Sequence, residues 1–218
     1  MLLVLARHGN TFEAGEKPVW IGARTDLPLT AQGRNQAAAF GAALRPVAAR
    51  VRRILSGPLL RTREYAEIAA RTAGVDKAVE VDARLCELDY GVWEGKTSEE
   101  IEAAYGAADL EAWAGRSRWP RSAGWTPPEA TVIENVRALA GSIAAEANEA
   151  DIAVLVTSNG ILRFFLTLVP SQASGMAAGM QVKVATGHAC VLGCAGDKWQ
   201  MLVWNKSAAD LSRSGALD

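Results

Sequence analysis

The first strong structural signal in the chain is the stretch Leu2-Leu3-Val4-Leu5-Ala6-Arg7-His8-Gly9-Asn10-Thr11. Its first five residues are all apolar, a pattern typical of a central strand that is covered on both faces. Polar residues and a glycine follow at once, so we expect the strand to end near Arg7 and a loop to begin there. The stretch therefore predicts a buried strand with a histidine at its carboxyl end.

A second segment repeats this pattern late in the chain. The apolar run Ile152–Val156 is followed directly by the polar loop Thr157-Ser158-Asn159-Gly160. Shorter strands are predicted at Arg53–Ser56, Val79–Val81, His188–Leu192 and Trp199–Trp204. Helices are predicted after the capping residue Thr30, from near Leu59, over Val132–Ala147 and, rich in Leu and Phe, after Gly160.

This alternation of strands and helices predicts the fold class. It indicates a three-layer α/β/α sandwich with a mostly parallel central sheet, in a single domain over residues 1–218. In such sheets ligands bind beyond the carboxyl ends of the strands. We therefore expect the loops at His8 and Asn159 to form the functional site.

Composition and charge narrow the classes of function. With 50% hydrophobic residues the chain can bury a sizeable core, and a net charge of −1 argues against a protein that coats nucleic acid. The apolar runs are too short to span a membrane, so no membrane partner is expected. Three scattered cysteines do not make a disulfide framework and favour a cytoplasmic location; Cys190 and Cys194 have no second pair at zinc spacing, so no metal is expected.

Four motifs stand in order along the first half of the chain. They are Arg7-His8-Gly9-Asn10-Thr11, Gly22 with Asp26-Leu27-Pro28-Leu29-Thr30 and Gly33, Ser56-Gly57-Pro58-Leu59-Leu60-Arg61-Thr62, and Leu85-Cys86-Glu87-Leu88-Asp89-Tyr90-Gly91-Val92-Trp93-Glu94-Gly95. Together they resemble the histidine phosphatase superfamily of phosphoglycerate mutase-like proteins. The resemblance implies the fold of that superfamily and phosphoryl transfer through a phosphohistidine.

The resemblance also implies the roles of particular residues. His8 is the expected nucleophile, Glu87 the general acid, and Arg7 and Arg61 the cations that neutralise the phosphoryl group. The further expected phosphate ligands are Asn10, Thr11, Asn159 and Gly160. No cofactor is expected, because the arginines supply the positive charge. Composition alone would allow Arg63 in place of Arg61, and Glu94, Glu99 or Glu100 in place of Glu87.

The second half of the chain departs from the superfamily pattern. The resembling proteins have a second histidine in an (S/T)HG element after an apolar strand, whereas this chain has Thr157-Ser158-Asn159-Gly160. We interpret Asn159 as the replacement and expect slower catalysis, since an amide donor carries no charge. A natural specialisation, a non-catalytic phosphate-binding protein and an engineered change all remain open. His188, the only other histidine, is interpreted as a strand-edge residue with an ordinary partner rather than a substitute.

Residues 97–128 form an expected insertion over one end of the sheet. Trp113, Trp119 and Trp125 alternate there with arginines and are interpreted as a lid that selects the organic half of a phosphate ester, or as a homodimer contact. The near-neutral charge disfavours stacking on single-stranded nucleic acid. Because the segment after Glu87 resembles the phosphatase branch, a phosphatase acting on a small phosphorylated metabolite is favoured over a mutase. Inorganic phosphate or sulfate is expected to fit the same pocket.

Overall fold

The computed structural model describes residues 1–171, 182–196 and 198–218. Within them, six strands form one sheet in the order β3-β2-β4-β1-β5-β6. Their bounds are β1 Leu2–Arg7, β2 Val51–Ser56, β3 Val79–Val81, β4 Ile152–Thr157, β5 Ala189–Ala195 and β6 Lys198–Lys206. The pairs from β3 to β1 are parallel, and β5 and β6 join antiparallel. The predicted mostly parallel α/β sheet is confirmed.

The helices follow the predicted alternation. Their bounds are α1 Ala31–Leu44, α2 Leu60–Ala73, α3 Ser98–Tyr105, α4 Ala108–Arg116, α5 Glu129–Glu146, α6 Asn159–Leu162 and α7 Ala208–Arg213. Short 3-10 helices lie at Arg45–Arg50, Ala83–Leu85, Gly91–Trp93 and Arg163–Leu168. Thr30 caps α1 as predicted, since its side chain accepts from the Gly33 N–H. The helix predicted after β4 is a single α turn that continues as a 3-10 helix.

Two hydrophobic cores lie on the two faces of the sheet, which explains the unbroken apolar run in β1. Leu3 and Leu5 belong to the core beneath α5, whereas Val4 and Ala6 belong to the core beneath α1 and α2. All four are fully buried. Burying a Leu or Val side chain stabilises the fold by about 1.5–3 kcal/mol, so neither face of β1 tolerates a polar residue. The strand ends where the polar sequence begins, at Arg7.

The insertion at residues 97–128 buries two of the three tryptophans that we interpreted as a lid or a homodimer contact. Trp113 and Trp125 are buried in the core under α5, with their ring centroids 4.7 Å apart and the rings perpendicular. Trp119 is partly buried and packs on Trp125 at 5.4 Å. Large aromatic rings gain more from this mutual burial than from exposure at a surface. The lid interpretation is corrected: Trp113 and Trp125 are core residues, and only Trp119 reaches partly to solvent.

Among the residues that the structure describes, no helix combines the length and the apolar composition needed to cross a bilayer.

Candidate active site

The loops after β1 and β4 leave the same edge of the sheet side by side. The two strands are parallel neighbours whose last paired residues are Arg7 and Thr157. The ladder continues one step further, because the His8 N–H donates to the Thr157 carbonyl at 3.1 Å. The sheet therefore brings the predicted His8 loop against the loop that contains Asn159.

His8 has the protonation state of a nucleophile. Its side chain is buried, and Nδ1 lies 2.8 Å from the Gly9 carbonyl oxygen. A carbonyl can only accept, so Nδ1 carries the proton and Nε2 keeps its lone pair. Burial, followed by the positive charges of Arg61 and Arg7, holds the pKa of His8 well below its usual range. The imidazole is therefore neutral at physiological pH, with Nε2 free to attack phosphorus.

Arg7 and Arg61 are two fixed cations near this imidazole. Arg61 is only 1% exposed and donates from its Nη atoms to the carbonyls of Thr25 (2.7 Å) and Gly22 (3.1 Å). Arg7 donates from Nη1 to the Val184 carbonyl at 2.6 Å, and burial lowers its pKa. In both side chains Nε is buried without a hydrogen-bond partner among the described residues. An unsatisfied buried donor costs about 1–3 kcal/mol, a cost that an anionic ligand would offset.

Glu87 is buried and tightly positioned. Its two carboxylate oxygens accept from the Leu88 N–H at 2.9 Å and the Gly160 N–H at 3.0 Å. The Tyr90 hydroxyl adjoins the same carboxylate; burial and the charge of Glu87 raise the pKa of Tyr90 well above its usual value, so it remains a donor. Glu87 is thus the candidate acid that lies buried beside Arg7, and its role as general acid stays a prediction.

Gly160 contacts Glu87 and does not offer its backbone to a phosphate. A Cβ at this position would lie 2.2 Å from Glu87 Oε1 and 2.7 Å from the Tyr90 hydroxyl. The residue must therefore be glycine for the carboxylate to approach the start of α6. This corrects the expectation that Gly160 binds phosphate, because its N–H already donates to Glu87.

Asn10 braces the His8 loop. Its Nδ2 donates to Gln32 at 3.2 Å and its Oδ1 accepts from the Thr186 hydroxyl, which leaves one amide hydrogen for a ligand. Thr11 is half-buried in the same loop. The phosphate contacts of both residues stay predictions.

The strand register changes the interpretation of the second loop. Because Arg7 pairs with Thr157, the residue beside His8 is Ser158 and not Asn159. The Asn159 side chain instead accepts from the Val184 N–H at 3.0 Å, and the Val184 carbonyl accepts from Arg7. This register counts against our interpretation of Asn159 as the replacement of the second histidine, because Ser158 is the residue level with His8 and Asn159 braces the segment that holds Arg7.

His188 has the ordinary partner that we expected. Its ring Nδ1 donates to the Asn205 carbonyl at 3.2 Å, and its backbone carbonyl accepts from the Arg7 N–H at 3.0 Å. The His188 backbone thus pairs with the end of β1, and its ring is held by a residue of β6.

Sequence reasoning missed Arg163, which ties the insertion to the site. It is 3% exposed, donates to the Trp113 carbonyl at 2.7 Å and lies 3.9 Å over the Trp113 ring. Burial lowers its pKa to about 10, so the cation persists at neutral pH and stacks on the indole. Its position four residues after Asn159, on the next helical turn, was the available signal.

Within the described part of the chain, no group of three or more His, Cys, Asp or Glu side chains could hold a metal ion. Arg7 and Arg61 place positive charge beside His8.

Comparisons with known proteins relate most of the chain to a family. Residues 3–207 match the model of the histidine phosphatase superfamily, branch 1. The probable phosphoglycerate mutase GpmB of Citrobacter koseri is 43% identical over 90 residues, which cover 41% of this chain and 39% of that protein. The GpmB protein of Salmonella choleraesuis is 38% identical over 97 residues, covering 44% and 42%. The matched segment thus spans about two fifths of these curated relatives.

Solved structures extend the similarity to nearly the whole chain. A mycobacterial glucosyl-3-phosphoglycerate phosphatase in complex with VO3 superposes with a TM-score of 0.78 at 26% identity, covering 94% of this chain and 99% of that one. Its complex with inorganic phosphate gives 0.75 at 27% identity, covering 95% and 98%.

Proposed function

Because the chain belongs to branch 1 of the histidine phosphatase superfamily, we propose that it hydrolyses a small phosphate monoester through a phosphohistidine on His8. The observation that carries the proposal is the buried, neutral His8 imidazole, whose Nδ1–H is bound to Gly9 and whose Nε2 is free. Two arginines, Arg7 and Arg61, supply positive charge beside it, and the Nε atom of each is buried without a hydrogen-bond partner among the described residues.

The first step forms the phosphoenzyme. Nε2 of His8 attacks phosphorus, the P–N bond forms, and the ester P–O bond breaks with its electron pair leaving on the alkoxide. This step requires a proton on Glu87, which passes to that oxygen, so an alcohol departs. The two guanidinium groups bind the non-bridging oxygens and compensate their charge throughout.

The second step returns the enzyme to its starting state. Water attacks phosphorus, Glu87 accepts a proton from it, and the P–N bond breaks with its electron pair returning to Nε2. Inorganic phosphate leaves, His8 is again neutral and Glu87 is again protonated. The sum is one ester and one water converted to one alcohol and one phosphate, with no cofactor.

Two comparisons bear on the choice between a phosphatase and a mutase. The likeness to the mycobacterial phosphatase covers 94% of this chain, whereas the match to the GpmB proteins covers about two fifths of it. The mutase reaction remains the second candidate because of the 43% identity in that shorter segment. A mutase would return the phosphoryl group to a second hydroxyl of the substrate rather than to water.

Hydrolysis of p-nitrophenyl phosphate by the wild-type, His8→Ala and His188→Ala proteins tests the proposal. The chain has two histidines, so His188→Ala is a matched control that removes the other imidazole. We expect His8→Ala to lower kcat by at least about a thousandfold, because the nucleophile is gone. His188→Ala should retain most activity. Comparable loss in both variants, or activity in His8→Ala, would contradict a role for His8 as nucleophile. Incubation with 3-phosphoglycerate separates phosphate release from mutase products.

A further inference from the structure

We propose that the Ser158 hydroxyl binds the phosphoryl group as a neutral hydrogen-bond donor. It would lie beside His8, where resembling enzymes have a second imidazole. The inference deepens the proposed function and rests on it for the chemistry at His8. Placement, burial and the hydrogen bonds of the neighbouring residues carry it.

Ser158 stands level with His8 on the adjacent strand. Arg7 and Thr157 are the last register pair of β1 and β4, and the His8 N–H donates to the Thr157 carbonyl. Ala6 and Val156 both belong to the core on the α1 and α2 face. Side chains in strands alternate between faces, and the Ser158 backbone is still extended with φ −104° and ψ 168°. Two residues further on, His8 and Ser158 therefore project to that same side.

The hydroxyl of Ser158 is buried and unpaired. The residue is 1% exposed, and its Oγ has no hydrogen-bond partner among the described residues. Serine at the start of a helix ordinarily accepts from a backbone N–H of the first turn, yet Ser158 makes no such bond to α6. A buried polar group without a partner costs about 1–3 kcal/mol, so the hydroxyl is free to serve a ligand.

The neighbouring residues identify the class of ligand. Arg7 and Arg61 also keep buried Nε atoms without partners, and their charges act on His8. The Asn159 Oδ1 accepts from the Val184 N–H, and the Gly160 N–H donates to Glu87. Among the described residues, the donors available to a ligand near His8 therefore include the two guanidinium groups, the Ser158 hydroxyl and the remaining amide hydrogen of Asn10, a set suited to a tetrahedral phosphoryl group. Ser158 adds a hydrogen bond but no charge, and it does not titrate.

Binding of inorganic phosphate and of orthovanadate measures this contact without turnover. We expect Ser158→Ala to weaken vanadate binding by about tenfold to a hundredfold, the value of a hydrogen bond to a charged group. Ser158→Thr keeps the hydroxyl and should retain most of the affinity. Thermal unfolding checks that both variants fold. Equal affinity in wild type and Ser158→Ala would overturn the proposal.

A histidine scan separates Ser158 from Asn159. Ser158→His should raise kcat on p-nitrophenyl phosphate, because an imidazolium adds charge at the transferring group. Its activity relative to wild type should fall as pH rises through the imidazole pKa, a dependence that a structural effect would not produce. Asn159→His should give no such gain. A gain confined to Asn159→His would overturn the assignment of Ser158.

The same titrations distinguish the inference from the proposed function. If the wild-type protein binds neither phosphate nor vanadate, both fall together. If it binds them and Ser158→Ala binds them equally well, the inference alone fails.

Discussion

The loops after β1 and β4 occupy equivalent positions in the sheet but carry different chemical groups. Each follows a buried parallel strand, and the two leave the sheet side by side. The first presents His8 with its proton fixed on Nδ1. The second presents the neutral Ser158, while Asn159 binds Val184 and Gly160 binds Glu87. On the proposed function, this difference is a division of roles, in which the β1 loop carries the nucleophile and the β4 loop positions the acid and the segment that holds Arg7.

The largest effect that sharpens this comparison is expected from Glu87→Gln. Glutamine keeps the size of the side chain but cannot give a proton to the leaving alkoxide. We expect kcat on an alkyl ester such as glycerol phosphate to fall by about a hundredfold to ten-thousandfold. The loss on p-nitrophenyl phosphate should be much smaller, since p-nitrophenolate leaves without protonation. Initial rates with both esters give the comparison, and equal losses on the two would contradict the role of general acid.

A smaller effect is expected from Gly160→Ala, which tests the positioning role of the β4 loop. The added Cβ meets Glu87 Oε1 at 2.2 Å, so the carboxylate must move. We expect the free energy of unfolding to fall by about 1–3 kcal/mol and the alkyl phosphatase activity to drop, with phosphate affinity less changed. Chemical denaturation and steady-state kinetics measure the two effects.

Gly141→Ala is the matched control for that variant. Gly141 is exposed within α5, and a Cβ there meets nothing within 4 Å. Alanine is favoured over glycine in a helix by about 1 kcal/mol, so this variant should be more stable and fully active. If the Gly160→Ala protein is as stable and as active as the wild type, the position of Glu87 does not depend on the β4 loop.

The smallest effect concerns pH and the stability of the β1 loop. The pKa of His8 is lowered in the folded protein, so below about pH 6.5 the unfolded chain binds a proton that the folded chain does not. The contribution of His8 to the free energy of unfolding is therefore complete above that pH and is lost as the pH falls below it. His8→Asn removes the titration while an amide can still donate to Gly9. Relative to this variant, wild type should lose up to about 1.4 kcal/mol per pH unit below about pH 6.5.

Urea unfolding of both proteins at about pH 7.5 and about pH 5.5 measures the difference. Other titrating groups are common to the two proteins and cancel. A wild-type to variant difference that does not change with pH would mean that His8 is not buried in its neutral form.

Much of the fold could be predicted from local pattern. The apolar runs Leu2–Ala6 and Ile152–Val156 were long enough to identify central strands, and Thr30 marked the start of α1. The tryptophans of the insertion were not placed correctly. Their interior position depends on partners distant in sequence, as in the packing of Trp125 against Tyr90 and Trp93. Arginines between them suggested an exposed surface, and local sequence gives no view of that packing.

The site was predictable in its first half and not in its second. Arg7, His8, Arg61 and Glu87 stand in motifs, and the structure selects Arg61 and Glu87 over their neighbours by burial. The second loop was aligned by its glycine, which pointed to Asn159. The position beside His8 is instead fixed by the hydrogen-bond register of β1 and β4, a tertiary property that no single segment encodes.

Trapping the phosphoenzyme tests the central claim most directly. The protein is mixed with a phosphate ester, quenched in denaturant at alkaline pH within the first turnovers, digested and analysed by mass spectrometry. The account predicts a phosphoryl group on the peptide that contains His8, lost on brief acid treatment because a P–N bond is acid-labile. An acid-stable phosphoryl group on Ser158, a label on His188, or turnover without any phosphoenzyme would contradict it.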